Sequence, residues 1–293
     1  MAKVVILGSN GQLGSDLCKV LAPNYELINS TSADINAAVD VSSQLATYSD
    51  VDYIINCIAT TNVDGCESNP QQAFLVNSAF AVQLAQFCAA NQIILIHIST
   101  DYVFDGTSPN AYLENDQPNP LNVYGLSKYA GEIAVKTYAD KYFILRVSSL
   151  FGVAGASGKG GNFVTTMLRL AREKDNWTVI SDQITCPTHT LDVARAINAL
   201  IEQQVSDYGI YNCVSSSACS WFEFTQEILR QSGQDVNKVK PISYKDYSFK
   251  ALRPQYAILD STKIAPYYVM PDYKSALSEY LSLSGLMAKI KFN

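Results

Sequence analysis

The chain has 293 residues, of which 48% are hydrophobic and 16% are charged, a composition typical of a soluble protein with one large or two modest domains. A net charge of −6 argues against nucleic-acid binding, and the apolar runs are shorter than the roughly 20 residues of a membrane span. The seven cysteines are odd in number and lack C-x-x-C spacing, so we expect no disulfide framework and no metal site. The opening residues "MAKVVILG" do not lead into a long apolar stretch with a cleavage site, so we expect a cytoplasmic protein with no signal peptide.

The amino-terminal half alternates strand-like and helix-like segments. Apolar, β-branched runs predict strands over residues 3–8, 25–29, 38–41, 51–59, 93–100 and 142–149. Amphipathic segments predict helices over residues 12–22 and 70–92, and a third helix after residue 121. This alternation is typical of an α/β fold with a doubly wound, parallel Rossmann-type sheet.

After residue 152 the pattern becomes less regular. Helices are predicted over 163–173 and 191–203, and short strands over 177–180 and 209–214, while the rest, including 221–233 and 251–260, is interpreted as a smaller mixed region. We therefore expect a dinucleotide-binding domain over 1–152, to which about 183–215 returns. Segments 153–182 and 216–293 would form a smaller mixed C-terminal substrate-binding domain.

The first candidate site is "GSNGQLG", with Gly8, Gly11 and Gly14 between the first strand and the first helix. Glycines there allow a tight turn and the close approach of a pyrophosphate to the free N–H groups of the helix. The G-x-x-G-x-x-G spacing differs from the usual G-x-G-x-x-G, and a simple tight turn is the alternative. The position between strand and helix favours nucleotide binding.

The end of the second strand bears on the choice of cofactor. An NAD-specific site places an acidic residue there to bind the ribose 2′-hydroxyl, but this strand ends in Asn29 followed by Ser30. The hydroxyls that follow could bind a 2′-phosphate, which favours NADP(H) with NAD(H) as the alternative. Asp34 is either a ribose contact or a turn residue, and Asp40 with Val41 either lies at the adenine or caps a helix.

The second candidate site combines "STDYVFDG" after the fifth strand with "YGLSKYAGE" in the following helix. Tyr124 and Lys128 are four residues apart and would share one helix face, near Thr100 at the carboxyl end of the strand. A free tyrosine has a pKa near ~10 and an effective acid–base catalyst one near ~7, a difference of about 4 kcal/mol that an ammonium group would partly supply. The alternative is a solvent-exposed pair without a function.

Nine stretches in order carry a family resemblance: "GSNGQLG", "NVDGCE", "VNSAFA", "STDYVFDG", "YGLSKYAGE", "GGNFV", "DQITCPT", "LDVA" and "LRPQYAILD". The chain resembles the extended short-chain dehydrogenase/reductases, and among them the dTDP-4-dehydrorhamnose reductase group. The resemblance implies a catalytic triad of Thr100, Tyr124 and Lys128. Around that triad it implies cofactor contacts from Gly8, Asn10, Gly11, Gln12, Leu13, Ser30, Asp40, Val41, Cys57, Ile58, Ala59 and Asn77. It implies substrate contacts from Thr61, Val63, Asp101, Tyr102, Asn162, Phe163 and Arg253.

The expected reaction is NAD(P)H-dependent reduction of the 4-keto group of a nucleotide-activated 6-deoxyhexose, such as dTDP-4-dehydro-L-rhamnose, in deoxysugar biosynthesis. A nucleotide-sugar epimerase and a non-catalytic nucleotide-binding regulatory subunit are the alternatives. Four positions depart from the group's usual residues: Thr60, Ser149, Thr185 and Ala257. The reaction class is therefore better specified than the sugar, and the nucleotide base and the oligomeric state, a homodimer among the options, stay open.

Overall fold

A computed structural model describes residues 1–37, 41–155 and 161–287 of the chain. The strands are β1 Lys3–Leu7, β2 Glu26–Ser30, β3 Tyr53–Asn56, β4 Ile94–Thr100, β5 Tyr142–Val147, β6 Leu150–Phe151, β7 Trp177–Ile180, β8 Ile184–Thr185, β9 Thr188–His189, β10 Gly209–Asn212, β11 Cys219–Ser220 and β12 Val239–Ile242. The α-helices are α1 Gln12–Leu21, α2 Ser42–Leu45, α3 Val63–Ser68, α4 Pro70–Phe74, α5 Phe80–Ala90, α6 Val123–Tyr138, α7 Phe163–Glu173, α8 Thr190–Glu202, α9 Trp221–Gln231 and α10 Tyr273–Leu283.

A six-stranded parallel sheet forms the centre of the molecule, with the strand order β2-β1-β3-β4-β5-β10. The predicted doubly wound α/β fold is confirmed. From β1 the chain first adds β2 at one edge and then returns to place β3 on the other edge of β1. The direction in which strands are added therefore reverses between β1 and β3. In open α/β sheets ligands bind at such a reversal, beyond the carboxyl ends of the strands.

Alternate side chains of β1 enter two apolar layers, as expected for a strand buried on both faces. Val4 and Ile6 lie in the layer that includes α1 and α8, whereas Val5 and Leu7 lie in the layer that includes α2, α5 and α6. Helix α8 and strand β10 come from the segment that we expected to return to the sheet, and both contribute to the first layer. Each face of the sheet is therefore covered by helices.

A further apolar cluster is built by α7, α9, α10, β7 and β12, with Phe151, Phe224 and Tyr280 fully buried in it. Strand β7 pairs with β12 outside the main sheet. The elements of this cluster come from the segments predicted to form the smaller domain. The domain boundaries themselves stay a prediction.

The predicted strand 38–41 falls mostly outside the described residues, and Val41 precedes α2 as its N-cap. The predicted helix 70–92 is built from α4, a π-helical segment Leu75–Ala79 and α5. Among the described residues this helix, Pro70–Ala90, is the one whose length and composition would suit a membrane span. Phe80, Leu84 and Cys88 are buried against the sheet, as in a core helix.

Candidate active site

The turn between β1 and α1 forms the floor of the candidate site. Gly8 has φ = +79°, a conformation that favours glycine, and its N–H donates to the Ser30 carbonyl oxygen at 2.9 Å. At Gly14 an added Cβ would lie 2.2 Å from the Gly8 carbonyl oxygen, so only glycine allows α1 to pack this closely on the turn. The backbone amides at the start of α1 are therefore brought next to the end of β1, as a phosphate-binding turn requires.

A cavity of about 570 Å³ opens from this turn along the carboxyl ends of β1, β3 and β4. Twelve of the predicted site residues line it together: Gly8, Asn10, Gly11, Gln12, Leu13, Cys57, Ile58, Ala59, Thr61, Thr100, Tyr124 and Lys128. The predicted dinucleotide turn and the predicted catalytic residues thus face one space.

Helix α6 places Tyr124 and Lys128 in this cavity by a close approach to the sheet. At Gly125 an added Cβ would lie 2.1 Å from the Tyr102 carbonyl oxygen, and at Gly131 it would lie 2.3 Å from the Asn77 carbonyl oxygen. The small residues around the Tyr-x-x-x-Lys pair therefore let α6 dock against two neighbouring segments.

Burial controls the protonation of both side chains. It raises the pKa of Tyr124 above its usual value, and a hydrogen bond with Thr100 opposes that rise. Burial also lowers the pKa of Lys128 to about 8, while Glu132 acts in the opposite direction. The ammonium group of Lys128 donates to the Ile98 carbonyl oxygen at 2.6 Å. The spacing alone led us to expect that ammonium to lower the Tyr124 pKa. In the structure burial has the larger effect, and the phenol is protonated at neutral pH.

Asn77 lies in the π-helical segment and connects three parts of the site without lining the cavity. Its Oδ1 accepts from the Thr60 N–H at 2.8 Å, and its Nδ2 donates to the Ser127 hydroxyl at 2.9 Å. Ser127 in turn donates to the Tyr124 carbonyl oxygen at 2.8 Å. Asn77 therefore orders the active site indirectly, and π-helical segments often occur at such functional positions.

Asp101 and Tyr102 were predicted to contact the sugar, and the structure places them beside the cavity. Asp101 is buried, and its two carboxylate oxygens accept from the Thr100 hydroxyl at 3.0 Å and the Ser148 hydroxyl at 2.8 Å. Burial raises the pKa of Asp101 to about 6. Tyr102 packs edge-on against Tyr124, with ring centroids 5.7 Å apart.

The remaining predicted substrate residues also lie outside the cavity lining. Arg253 donates to the Asp64 carboxylate at 2.8 Å and covers the Phe249 ring at 4.3 Å. Val63 begins α3, next to Asp64. These contacts bring Arg253 to the α3 side of the site, where a carboxylate already neutralises it.

Asn162 caps α7 through its side-chain oxygen, and its side-chain nitrogen is hydrogen-bonded elsewhere within the protein. Its Oδ1 accepts from the Thr165 N–H at 3.0 Å, and its Nδ2 donates to the Gly152 carbonyl oxygen at 2.8 Å and the Tyr280 hydroxyl at 3.2 Å. Phe163 packs against the Trp221 ring at 4.4 Å between centroids. Any direct contact of Asn162 with a ligand would replace one of these bonds.

The adenosine side of the predicted cofactor site is lined by residues other than those we selected. Ser30 is fully buried below the turn, Asp40 lies outside the described residues, and Val41 is buried in the core. Asp34, left open as a ribose contact or a turn residue, accepts from the Thr31 N–H at 2.8 Å and so belongs to the turn. Eight lining residues of the cavity that were missed are Ile35, Asn36, Ala37, Gln72, Val76, Ile98, Val147 and Leu150.

One group of side chains among the described residues has the spacing of metal ligands: His189, Asp192 and Glu279. The guanidinium group of Arg195 donates to the Asp192 carboxylate at 3.0 Å and to the two Glu279 oxygens at 2.8 and 2.6 Å. One arginine thus already forms ion pairs with both carboxylates. None of these side chains lines the cavity.

Comparison with known proteins gives consistent matches over nearly the whole chain. The family model described as the RmlD substrate binding domain matches residues 2–285. The spore coat polysaccharide biosynthesis protein SpsK of Bacillus subtilis (strain 168) is 36% identical over 284 residues, which cover 96% of this chain and 97% of that protein. A dTDP-4-dehydrorhamnose reductase of Aggregatibacter actinomycetemcomitans is 35% identical over 280 residues, which cover 90% of this chain and 92% of that protein.

Solved structures agree with these matches. The crystal structure of dTDP-4-dehydrorhamnose reductase from Bacillus anthracis str. Ames in complex with NADP superposes with a TM-score of 0.89 at 35% identity, covering 96% of this chain and 99% of that one. The Clostridium acetobutylicum dTDP-4-dehydrorhamnose reductase gives the same TM-score at 34% identity, with the same coverage of both chains.

Proposed function

Because the chain belongs to the dTDP-4-dehydrorhamnose reductase family, we propose that it reduces the 4-keto group of a nucleotide-activated 6-deoxyhexose with NADPH. The sugar nucleotide that we favour is dTDP-4-dehydro-L-rhamnose, the substrate class implied by the names of its relatives. The observation that carries the proposal is the convergence of the glycine turn with Thr100, Tyr124 and Lys128 on one cavity. We expect the enzyme to act in the cytoplasm.

The residues of the turn fit a dinucleotide. A Cβ at Gly14 would fill the space between α1 and the turn, and the N-cap Gly11 has no side chain that would cover the first amides of α1. Beyond the second strand, Ser32 and Asn36 line the cavity, and the Asp34 carboxylate is turned to Thr31. Among the described residues that line this end of the cavity there are hydroxyl and amide groups but no carboxylate, which suits NADP(H) better than NAD(H). Bound NADPH supplies the hydride.

Tyr124 is the proton donor in this mechanism. The raised pKa of its phenol keeps the proton in place at neutral pH, where it is available to the oxygen of the C4 ketone as that oxygen gains negative charge. Thr100 orients the same oxygen through its hydroxyl. Lys128, fixed on the Ile98 carbonyl oxygen, provides positive charge that stabilises the phenolate left after proton transfer.

Arg253 is the residue that we assign to the diphosphate of the substrate. Its side chain is 16% exposed and is held by Asp64 in the absence of a ligand. A guanidinium group can bind phosphate with two parallel hydrogen bonds, and a charged diphosphate competes well with a single, partly exposed carboxylate. When the nucleotide sugar binds, its diphosphate would therefore replace Asp64 as the partner of Arg253.

The reaction is tested by single-turnover oxidation of NADPH with a panel of 4-keto-6-deoxy nucleotide sugars. We expect one NADPH to be oxidised per sugar reduced, with dTDP-4-dehydro-L-rhamnose among the accepted substrates. An epimerase would instead convert sugars with no net oxidation of NADPH. If the protein binds NADPH but oxidises none of it with any sugar, the reductase assignment is wrong and a binding role replaces it.

A further inference from the structure

A buried ion pair lies directly behind the catalytic residues. Glu132 is fully buried in α6, four residues after Lys128 and eight after Tyr124, so all three side chains follow one face of the helix. Arg146 of β5 binds the Glu132 carboxylate with both prongs of its guanidinium group, at 2.9 Å from Nε and 2.7 Å from Nη2. Arg146 is itself 1% exposed.

The carboxylate of Glu132 also reaches the strand that carries the catalytic threonine. The buried Ser99 hydroxyl donates to Glu132 Oε1 at 2.5 Å. Ser99 lies between Ile98, whose carbonyl oxygen accepts from Lys128, and Thr100. Hydrogen bonds thus connect Ile98 and Ser99 of β4 to Lys128 and Glu132 of α6, next to the Thr100 hydroxyl.

Arg146 is held independently of Glu132. It donates to the Glu114 carbonyl oxygen at 3.2 Å and lies over the Phe104 ring, 4.9 Å from its centroid. The position of Arg146 in β5 is therefore fixed by contacts with the segment that follows β4, in addition to its contact with Glu132. A buried ion pair rarely stabilises a fold more than apolar residues of the same size would, so its position beside the site calls for another explanation.

Four titratable groups surround Lys128: Glu132, Cys57, His97 and Tyr124. Burial raises the pKa of the Cys57 thiol to about 12 and holds the pKa of His97 well below its usual value, so both are neutral near pH 7. Tyr124 is neutral for the same reason. Of these four groups, Glu132 is the one that supplies negative charge to the lysine.

We propose that Glu132 is a positioning residue for the reduction, which holds the end of β4 through Ser99 and supports the charge of Lys128. This role presupposes the reductase chemistry proposed above. It predicts that the loss of Glu132 displaces Thr100 relative to Tyr124 and favours the neutral amine of Lys128.

Two variants test this role. Glu132→Gln keeps an acceptor for Ser99 but removes the charge. Glu132→Leu combined with Arg146→Met replaces the ion pair by apolar side chains, which protects the fold if the single variant unfolds. The matched control is Asp192→Asn, which removes another buried carboxylate paired with an arginine, in α8 on the opposite face of the sheet.

Two measurements decide the outcome. NMR titration of isotope-labelled lysine should show a lower pKa of Lys128 in Glu132→Gln, and a smaller decrease in the double variant, which also removes the positive charge of Arg146. Steady-state kinetics should show a loss of about 10- to 100-fold in kcat with little change in KM for the nucleotide sugar. Asp192→Asn should leave both properties unchanged.

Wild-type kcat in the folded double variant, together with an unchanged pKa of Lys128 in Glu132→Gln, would overturn the proposal, because the ion pair would then serve the fold alone. The NMR measurement needs no turnover. If the wild-type protein reduces no sugar, the reductase assignment fails, and the titration still decides whether Glu132 supports the charge of Lys128.

Discussion

Replacing Tyr124 by phenylalanine removes one hydroxyl group from the cavity and leaves the ring in place. The ring contact with Tyr102, at 5.7 Å between centroids, does not involve the hydroxyl, and α6 remains docked through Gly125. The hydrogen bond with Thr100 is lost, which costs about 1 kcal/mol in the free energy of unfolding. The variant should therefore fold and bind NADPH with nearly unchanged affinity.

The effect on catalysis should be much larger. Without the phenol, the group that we assign as proton donor to the oxygen of the C4 ketone is gone, and general acid catalysis typically contributes 10²–10⁴-fold. We expect kcat to fall by about this factor, which corresponds to roughly 3–5 kcal/mol in the activation free energy. KM for the nucleotide sugar should change little, because the hydroxyl acts mainly in the transition state.

The assay is single-turnover oxidation of NADPH, combined with thermal unfolding in the presence and absence of the cofactor. Tyr138→Phe is the matched control, since Tyr138 lies at the end of the same helix and is 42% exposed. It should leave both measurements unchanged. If Tyr124→Phe retains a rate within about tenfold of wild type, another group donates the proton, and Asp101 with its pKa of about 6 would be the next candidate.

Four further outcomes are expected. Lys128→Met should lower kcat by a factor comparable to that of Tyr124→Phe and also weaken NADPH binding in a fluorescence titration; an unchanged dissociation constant would place the ammonium away from the cofactor. Arg253→Ala should raise KM for the nucleotide sugar far more than it lowers kcat, because contacts with a diphosphate are the same in the ground and transition states; an unchanged KM would mean that the guanidinium group stays with Asp64. NADPH should be used at least as well as NADH, and a preference for NADH above about tenfold, or ~1.4 kcal/mol, would contradict the reading of the second strand. Asp101→Asn should stabilise the protein above about pH 6, by up to about 3 kcal/mol, because the folded-state pKa of Asp101, about 6, exceeds the ordinary value of 3.8. In melting curves this gain in stability should disappear as the pH falls from about 6 to below about 4. An equal gain at every pH would show that the charge of Asp101 is not its cause.

Local sequence patterns were sufficient for the parts of the site that depend on local structure. The glycine turn lies between a strand and a helix that are close in sequence, so its spacing specifies the geometry directly. The same is true of Tyr124 and Lys128, which are one helical turn apart. For these residues the predicted neighbours line one cavity in the structure.

Other features depend on contacts between distant segments, which the sequence does not encode in any short pattern. The π-helical segment at Asn77 is an example, because the amide of Asn77 reaches Thr60 on one side and Ser127 of α6 on the other. A helical pattern alone predicts an uninterrupted α-helix there. The partnership of Glu132 with Arg146 was missed for the same reason, since nothing local indicates which acidic residue an arginine will bind.

The substrate side of the site also depends on contacts between distant segments of the chain. The proposed catalytic groups belong to the sheet and α6, whereas Arg253 comes from a distant segment and meets α3 through Asp64, 189 residues earlier in the chain. The same segment is tied to α6, where the Asn122 side chain donates to the Leu252 carbonyl oxygen at 2.7 Å. Because these contacts are made by residues other than the acid–base pair, substitutions in them can change which nucleotide sugar is bound while the chemistry stays the same. That separation explains why the motifs of the catalytic core specify the reaction better than they specify the substrate.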